Sequence, residues 1–492
     1  MKTYICTLFI LLFAFSSLYA QNDTIKNDKS PYSIYIIEEE KPETDILLIR
    51  DHDKKKRKPR VHIHGQVDAQ YDFITPKDKR GLIVHEDDSR PVNERLFLGA
   101  RPAETNYSGF NIRRARLGVD VYLRKKWSLH TQIGLDLYNV NTEYGNKRDY
   151  LDYAYVQKNW KLGILKGRLF LGYKKVMFGM EENVLPFNLV TVERSIATNF
   201  FNGVTLWDYG AGRSSGYVCT PLGIGNRHTG VQWMGNADFI FKGLRYYLAF
   251  TSDTYNPFSR PRGVEVNRLS YYASLGYVYK TEGYKVKLGL NFAYRPNGIP
   301  YFPVNEQKYH SLHAFNPYLM IDYRWLHLFS EAFIGHAEHG QFIYGGFYDS
   351  QAVHRAENAP DANSTGVNAL VSARLLRWMQ PYFRFSYVNS GGAAMTSGYM
   401  KDISYNAPAS FASSNWDVGH SYGAGANFFI VPGKLKLKAE YEIQRYTRDL
   451  SYREFINNPY TKNKVTNKRA YDLIDKSIYY LSNFRVQLQY KF

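Results

Sequence analysis

From Val61 to the end of the chain, apolar and polar residues trade places at every second position, in sixteen separate runs. The last run shows the pattern most plainly. Phe484, Val486, Leu488, Tyr490 and Phe492 fall on one side of an extended chain, and Arg485, Gln487, Gln489 and Lys491 on the other. A period of two is the signature of a β-strand, whose side chains point alternately to opposite faces. The other runs lie at 61–73, 114–123, 129–138, 149–157, 167–176, 229–237, 243–251, 268–280, 285–295, 312–323, 326–336, 364–375, 380–389, 419–430 and 434–445. Short connections such as 280–284, 324–325 and 431–433 take every second place, and long polar ones take the others.

This layout predicts an all-β chain: a sixteen-stranded antiparallel transmembrane β-barrel, with long outer loops and one of them folded inward. An even strand number with short turns at one end and long loops at the other is the architecture of an outer-membrane barrel. A closed barrel also satisfies every backbone hydrogen bond within lipid. A soluble sandwich could share the alternation but not the two-ended asymmetry of loop length. The final aromatic residue resembles the terminal strand of bacterial outer-membrane barrels, where it serves as an assembly signal. Sixteen strands predict a water-filled lumen rather than a core filled by side chains.

Composition narrows the reading. No run of about 18 apolar residues follows the first 20, which argues against a membrane-spanning helix. Tyrosine alone supplies 43 of the 492 residues and aromatic residues 16%. Such rings favour the membrane–water boundary, with an apolar body and a wet tip. Residues 1–20 read as a secretory signal peptide, with Lys2 as its charged start and Ala20 before the cleavage site. That leaves Cys219 alone, so no internal disulfide is expected. Residues 21–60 carry the charge runs 38–40 and 54–58 and read as a largely disordered periplasmic tail. The barrel is then 61–492. A net charge of +18 favours anionic partners. Small anionic or hydrophilic solutes and outer-membrane lipid are expected, and nucleic acid is not.

The longest connection, about 177–228, is rich in apolar residues, among them Leu185, Phe187, Phe200, Phe201 and Trp207. A connection of this length in a compact protein is functional or disordered, and the apolar content argues for the former. In a barrel it can fold inward and narrow the lumen. Here the chain resembles a known family. Phe110-Asn-Ile-Arg-Arg-Ala-Arg-Leu-Gly118, Leu151-Asp-Tyr-Ala-Tyr155, Leu171-Gly-Tyr-Lys174 and Val192-Glu-Arg-Ser195 are similar, in order and spacing, to motifs of the phosphate-selective porin O and P family. The resemblance implies an outer-membrane location in a Gram-negative bacterium, a homotrimer of sixteen-stranded barrels and an inward loop as constriction. The lysine cluster of that family's best-known members has no residue-by-residue match here.

Strand parity places Arg114, Arg116, Arg168, Lys174, Arg245, Lys285, Lys287, Arg295, Arg374, Arg384, Lys436, Lys438 and Arg485 toward the lumen as candidate anion guides. The plainer reading pairs such bases with Asp120, Asp136, Asp152, Glu440 or Glu442 on a polar wall. Glu193, Arg194 and Ser195 are candidate anchors of the constriction loop, with Glu193 and Arg194 expected to hold it to the wall by ion pairs. His62 and His64 share a strand face, which suits a metal, but no third ligand stands at a diagnostic spacing, so wall lining is expected. The expectation is a passive diffusion channel with no catalytic residues, metal or cofactor. The leading expectation is an anion-preferring channel, with phosphate or polyphosphate selectivity as its sharper form; a weakly selective nutrient porin, a barrel enzyme and a structural or adhesive barrel are the alternatives.

Overall fold

The computed structural model describes residues 59–78, 107–123, 126–134, 151–162, 165–202, 222, 224–225, 227–253, 269–296, 311–338, 361–391, 395–396, 415–416, 418–447 and 478–492. The expected signal and tail, Asp136, Cys219 and the strand ends assigned to 135–138 and 149–150 lie outside them. Sixteen strands form one closed barrel. They are β1 Arg60–Asp78, β2 Tyr107–Tyr122, β3 Trp127–Gly134, β4 Leu151–Leu162, β5 Leu165–Lys175, β6 Arg227–Asn236, β7 Leu244–Asp253 and β8 Leu269–Thr281. The second half is β9 Tyr284–Arg295, β10 Leu312–Tyr323, β11 Leu326–Ala337, β12 Ala362–Ala373, β13 Met379–Asn389, β14 Val418–Val431, β15 Leu435–Thr447 and β16 Ile478–Lys491.

Each strand pairs antiparallel with the next, and β16 returns to β1 to close the ring. The fold expectation is borne out. Closure is completed at the carboxy-terminus, where Gly65 and Phe492 exchange both backbone hydrogen bonds at 3.1 Å. The Phe492 ring lies over Gly65, so close that a Cβ there would stand 2.3 Å from it. The absent side chain gives the terminal ring its seat.

The wall is inside out relative to a soluble protein. On β1, Val61, Ile63, Val67 and Phe73 stand exposed, while Gln66, Asp68, Gln70 and Asp72 are buried. On β16, Phe484, Leu488 and Tyr490 are exposed, and Arg485, Gln487 and Gln489 are buried. An outward apolar band and a polar interior are what a lipid-embedded barrel requires. Near the short-turn end, Trp160, Trp233 and Tyr246 pack on the outer face at 5.5 and 5.6 Å between centroids, the place for a boundary belt. Short turns are made by residues such as Gly283 and Arg324, whose φ of 73° and 48° are left-handed.

The apolar core sits inside the barrel. Residues 176–202 enter the lumen and carry helix α1, Met180–Asn183, a 3-10 turn, Pro186–Asn188, and helix α2, Ile196–Asn202. Ile196, Ala197, Phe200 and Phe201 of α2 cluster with wall residues Leu312, Phe333, Val388 and Tyr446. Phe201 stacks on Phe333 with centroids 4.8 Å apart. The lumen is therefore not simply a water-filled tube: its long-connection half contains a packed apolar plug. Each such side chain contributes about 1.5–3 kcal/mol on burial.

Candidate constriction and its anchors

The barrel register delivers two consecutive arginines to one carboxylate. Asp68 pairs with Arg114 and Ala69 with Ile112, so Arg113 is an extra residue in β2. Such a bulge breaks strict alternation and turns neighbours to the same side. Both Arg113 and Arg114 reach Glu193, with Nη2 to Oε2 distances of 3.2 and 3.0 Å. Arg114 also donates to Asp68 at 3.2 Å. Burial alone would raise the Glu193 pKa, but the Arg113 and Arg114 charges hold it well below the usual carboxylate range.

Three strands round the wall, lysines grip the same segment by its backbone. Lys438 Nζ donates to the carbonyls of Leu189 and Thr191, both at 2.8 Å, and Lys436 to those of Phe187 and Leu189. Arg384 donates to the Glu193 carbonyl and, at 2.9 Å, to Glu442. Arg485 reaches Glu442 at 2.9 Å and Glu440 at 3.3 Å. Glu331 on β11 accepts the Met180 and Glu181 amides at 2.7 and 3.3 Å and the Thr198 hydroxyl at 3.1 Å. Ser195 caps α2: its Oγ accepts the Thr198 amide at 3.1 Å, and its own amide donates to Glu181 at 2.9 Å.

The inward bases thus divide. Arg114, Arg384, Lys436, Lys438 and Arg485 are buried beneath the inner segment and bonded to it or to acids beside it. Arg295 holds the far end of the same connection, donating to the Ile224 carbonyl at 3.3 Å and meeting His228 at 3.1 Å. Lys174 lies 4.5 Å over the Phe170 ring. Arg168, Lys285 and Lys287 are buried in the wall and Arg245 is half-buried. Arg374 lies beyond the end of β12, with its guanidinium 4.1 Å from the centre of the Phe429 ring. Arg194 bonds Glu182 of its own segment at 2.9 Å rather than the wall.

A second group of charges touches water. Arg116 meets Asp152 at 3.4 Å, and Arg227 pairs with the same carboxylate. Lys175 and Arg194 pair with Glu182 and act electrostatically on Asp152 as well. Burial pushes Glu182 upward, but the Arg194 and Lys175 charges outweigh it and hold its pKa low. The four bases are 13–23% exposed, unlike the covered anchors Arg114, Arg384, Lys436, Lys438 and Arg485. Four bases around two acids leave an excess of positive charge where β2, β5, β6 and the inner segment meet. Sequence reasoning missed Arg113, Arg227 and Glu331. Arg113 stands just before the run assigned to the second strand, Arg227 falls in what reads as loop, and Glu331 is one acid in an ordinary alternating run.

Residues 99–210 match the model of the family described as phosphate-selective porin O and P. A search of curated proteins found no match. Among solved structures, the outer-membrane channel DcaP of Acinetobacter baumannii is similar at 10% identity, over 89% of this chain and 99% of its own, with a TM-score of 0.49. The anion-selective porin from Comamonas acidovorans is similar at 9% identity, over 88% and 100%, with a TM-score of 0.46. A loop-deletion form of OmpT, an outer-membrane protein of Vibrio cholerae, is similar at 11% identity, over 88% and 99%, with a TM-score of 0.44. The matched family is one of channels, not of catalysts. Residues 99–210 thus match the phosphate-selective porin O and P family, within a closed sixteen-stranded antiparallel wall that is apolar outside and polar inside, the form of an outer-membrane β-barrel.

Proposed function

We propose that this porin passes small hydrophilic solutes with a preference for anions, phosphate among them, and that Arg116, Lys175, Arg194 and Arg227 form the positive side of its constriction. The observation that carries the reading is the water-touched cluster of these four bases around only two carboxylates, Asp152 and Glu182. Clustered Lys and Arg lower the barrier to anions, and guanidinium groups bind oxyanions through paired hydrogen bonds. The formal charge of +18 adds a long-range bias in the same direction.

A weakly selective nutrient porin is the second reading. It is favoured by the burial of Arg114, Arg384, Lys436, Lys438 and Arg485 as anchors, which removes them from a solute's path. Titrating inorganic phosphate against the chloride current of single channels in a planar bilayer separates the two. Saturable block at low phosphate supports the selective channel, whereas steady current at high phosphate leaves the general one. The resemblance also implies a homotrimer, which chemical cross-linking of the detergent-solubilised protein tests.

A further inference from the structure

We propose that His62, His64 and Asp120 form a binding site for a divalent transition metal, of which Zn2+ is the natural probe, at the short-turn mouth of the lumen. In the sequence, His62 and His64 lack a third ligand. The β1–β2 register supplies one by setting His62 directly opposite Asp120 and His64 opposite Gly118. Gly118 matters because the His64 imidazole lies across it: a Cβ there would stand 2.3 Å from the ring.

Asp120 Oδ2 lies 3.9 Å from His62 Nδ1 and 3.6 Å from His64 Nε2. Zinc bonds of about 2.0–2.1 Å in a tetrahedron place ligand atoms about 3.3 Å apart, so these separations are within about 0.3–0.6 Å of a bound set. Among the described residues no group of three His, Cys, Asp or Glu side chains, this one included, is placed to hold a metal ion without side-chain movement. A rotation of His62, whose side chain is 63% exposed, supplies the closure. The other oxygen of Asp120 is already fixed. His130 Nδ1 lies 2.7 Å from Oδ1, and His130 Nε2 meets the Ser128 hydroxyl at 2.8 Å. That is the outer support that orients a ligating carboxylate. The Tyr153 hydroxyl, 3.4 Å from His64 Nε2, faces the same point. Two imidazoles and a carboxylate suit a borderline ion such as Zn2+ and leave a position open to water. A bound ion places two positive charges at the mouth.

Isothermal titration calorimetry of the full-length refolded barrel with Zn2+ in detergent tests the site. One saturable site is expected, weakened at least tenfold in each of His62→Ala, His64→Ala and Asp120→Asn. His130→Gln is expected to weaken it by about 10–100-fold while leaving all three ligands in place. Heat-modifiable gel mobility establishes that each variant is folded, and His62 is exposed enough that its replacement leaves the barrel intact. Absence of saturable binding in the parent protein overturns the proposal. So does binding of equal strength in folded His62→Ala and His64→Ala.

Discussion

Two neighbouring stretches of the inner segment are held by opposite physics. At α2, Ile196, Phe200 and Phe201 press into an apolar pocket of the wall, beside a hydrogen bond from Thr198 to Glu331. Just before it, the stretch from Phe187 to Glu193 is held almost wholly by Lys436, Lys438, Arg384, Arg113 and Arg114. Apolar packing contributes in proportion to buried area and is indifferent to small shifts. A buried ion pair adds little net stability, because desolvation cancels much of the attraction, yet removing one partner is severe. The charged stretch therefore specifies where the segment lies, and the apolar stretch supplies most of the adhesion. Five of the bases that parity marks as lumen-facing, Arg114, Arg384, Lys436, Lys438 and Arg485, serve as anchors, and the proposed selectivity rests instead on the cluster at Arg116, Lys175, Arg194 and Arg227.

The comparison breaks most visibly at Glu193. Glu193→Gln takes the carboxylate that Arg113 and Arg114 share, leaving Arg114 with Asp68, and a loss of about 3–5 kcal/mol is expected from urea unfolding in lipid vesicles. Protease should then cut within residues 177–202 of otherwise intact barrels. Lys438→Met strips a donor from two buried carbonyls and should cost about 2 kcal/mol in the same assay. Ile196→Val removes one methylene from the apolar stretch and should cost about 1 kcal/mol, with channel conductance unchanged. Equal sensitivity of both stretches would collapse the distinction.

The smallest expected effect is that of pH. Glu193 and Glu182 both have lowered pKa values. A carboxylate of this kind contributes stability that is fully present above its ordinary value, about 4.3, and is lost only as the pH falls through the lowered one. Protease resistance of the segment should therefore stay flat from neutral pH down to about 5. A transition near pH 6 would mean that these two carboxylates do not control the segment.

The architecture was legible because alternation is a local property: each strand states its two faces in its own residues, and Phe484 to Phe492 does so without help from the rest of the chain. The site was less so. Parity identifies Lys438 as inward but carries nothing about the Leu189 carbonyl that meets it, because that contact joins residues far apart in the chain. The bulge at Arg113 adds one residue to one strand and reverses the face of its neighbour, so no count along β2 alone could show that Glu193 receives two arginines. Arg194 was expected at the wall and instead bonds Glu182. A long flexible side chain next to two acids has partners on its own segment that sequence spacing does not rank.

The account rests on the positive cluster setting the preference of an open channel. Its most direct test is the reversal potential of single channels in a potassium chloride gradient, measured for the parent protein and for Arg116→Gln/Arg227→Gln. The account predicts an anion-selective reversal potential in the parent that moves toward zero in the double variant, with conductance retained. An unchanged reversal potential, or a cation-selective parent, would contradict it.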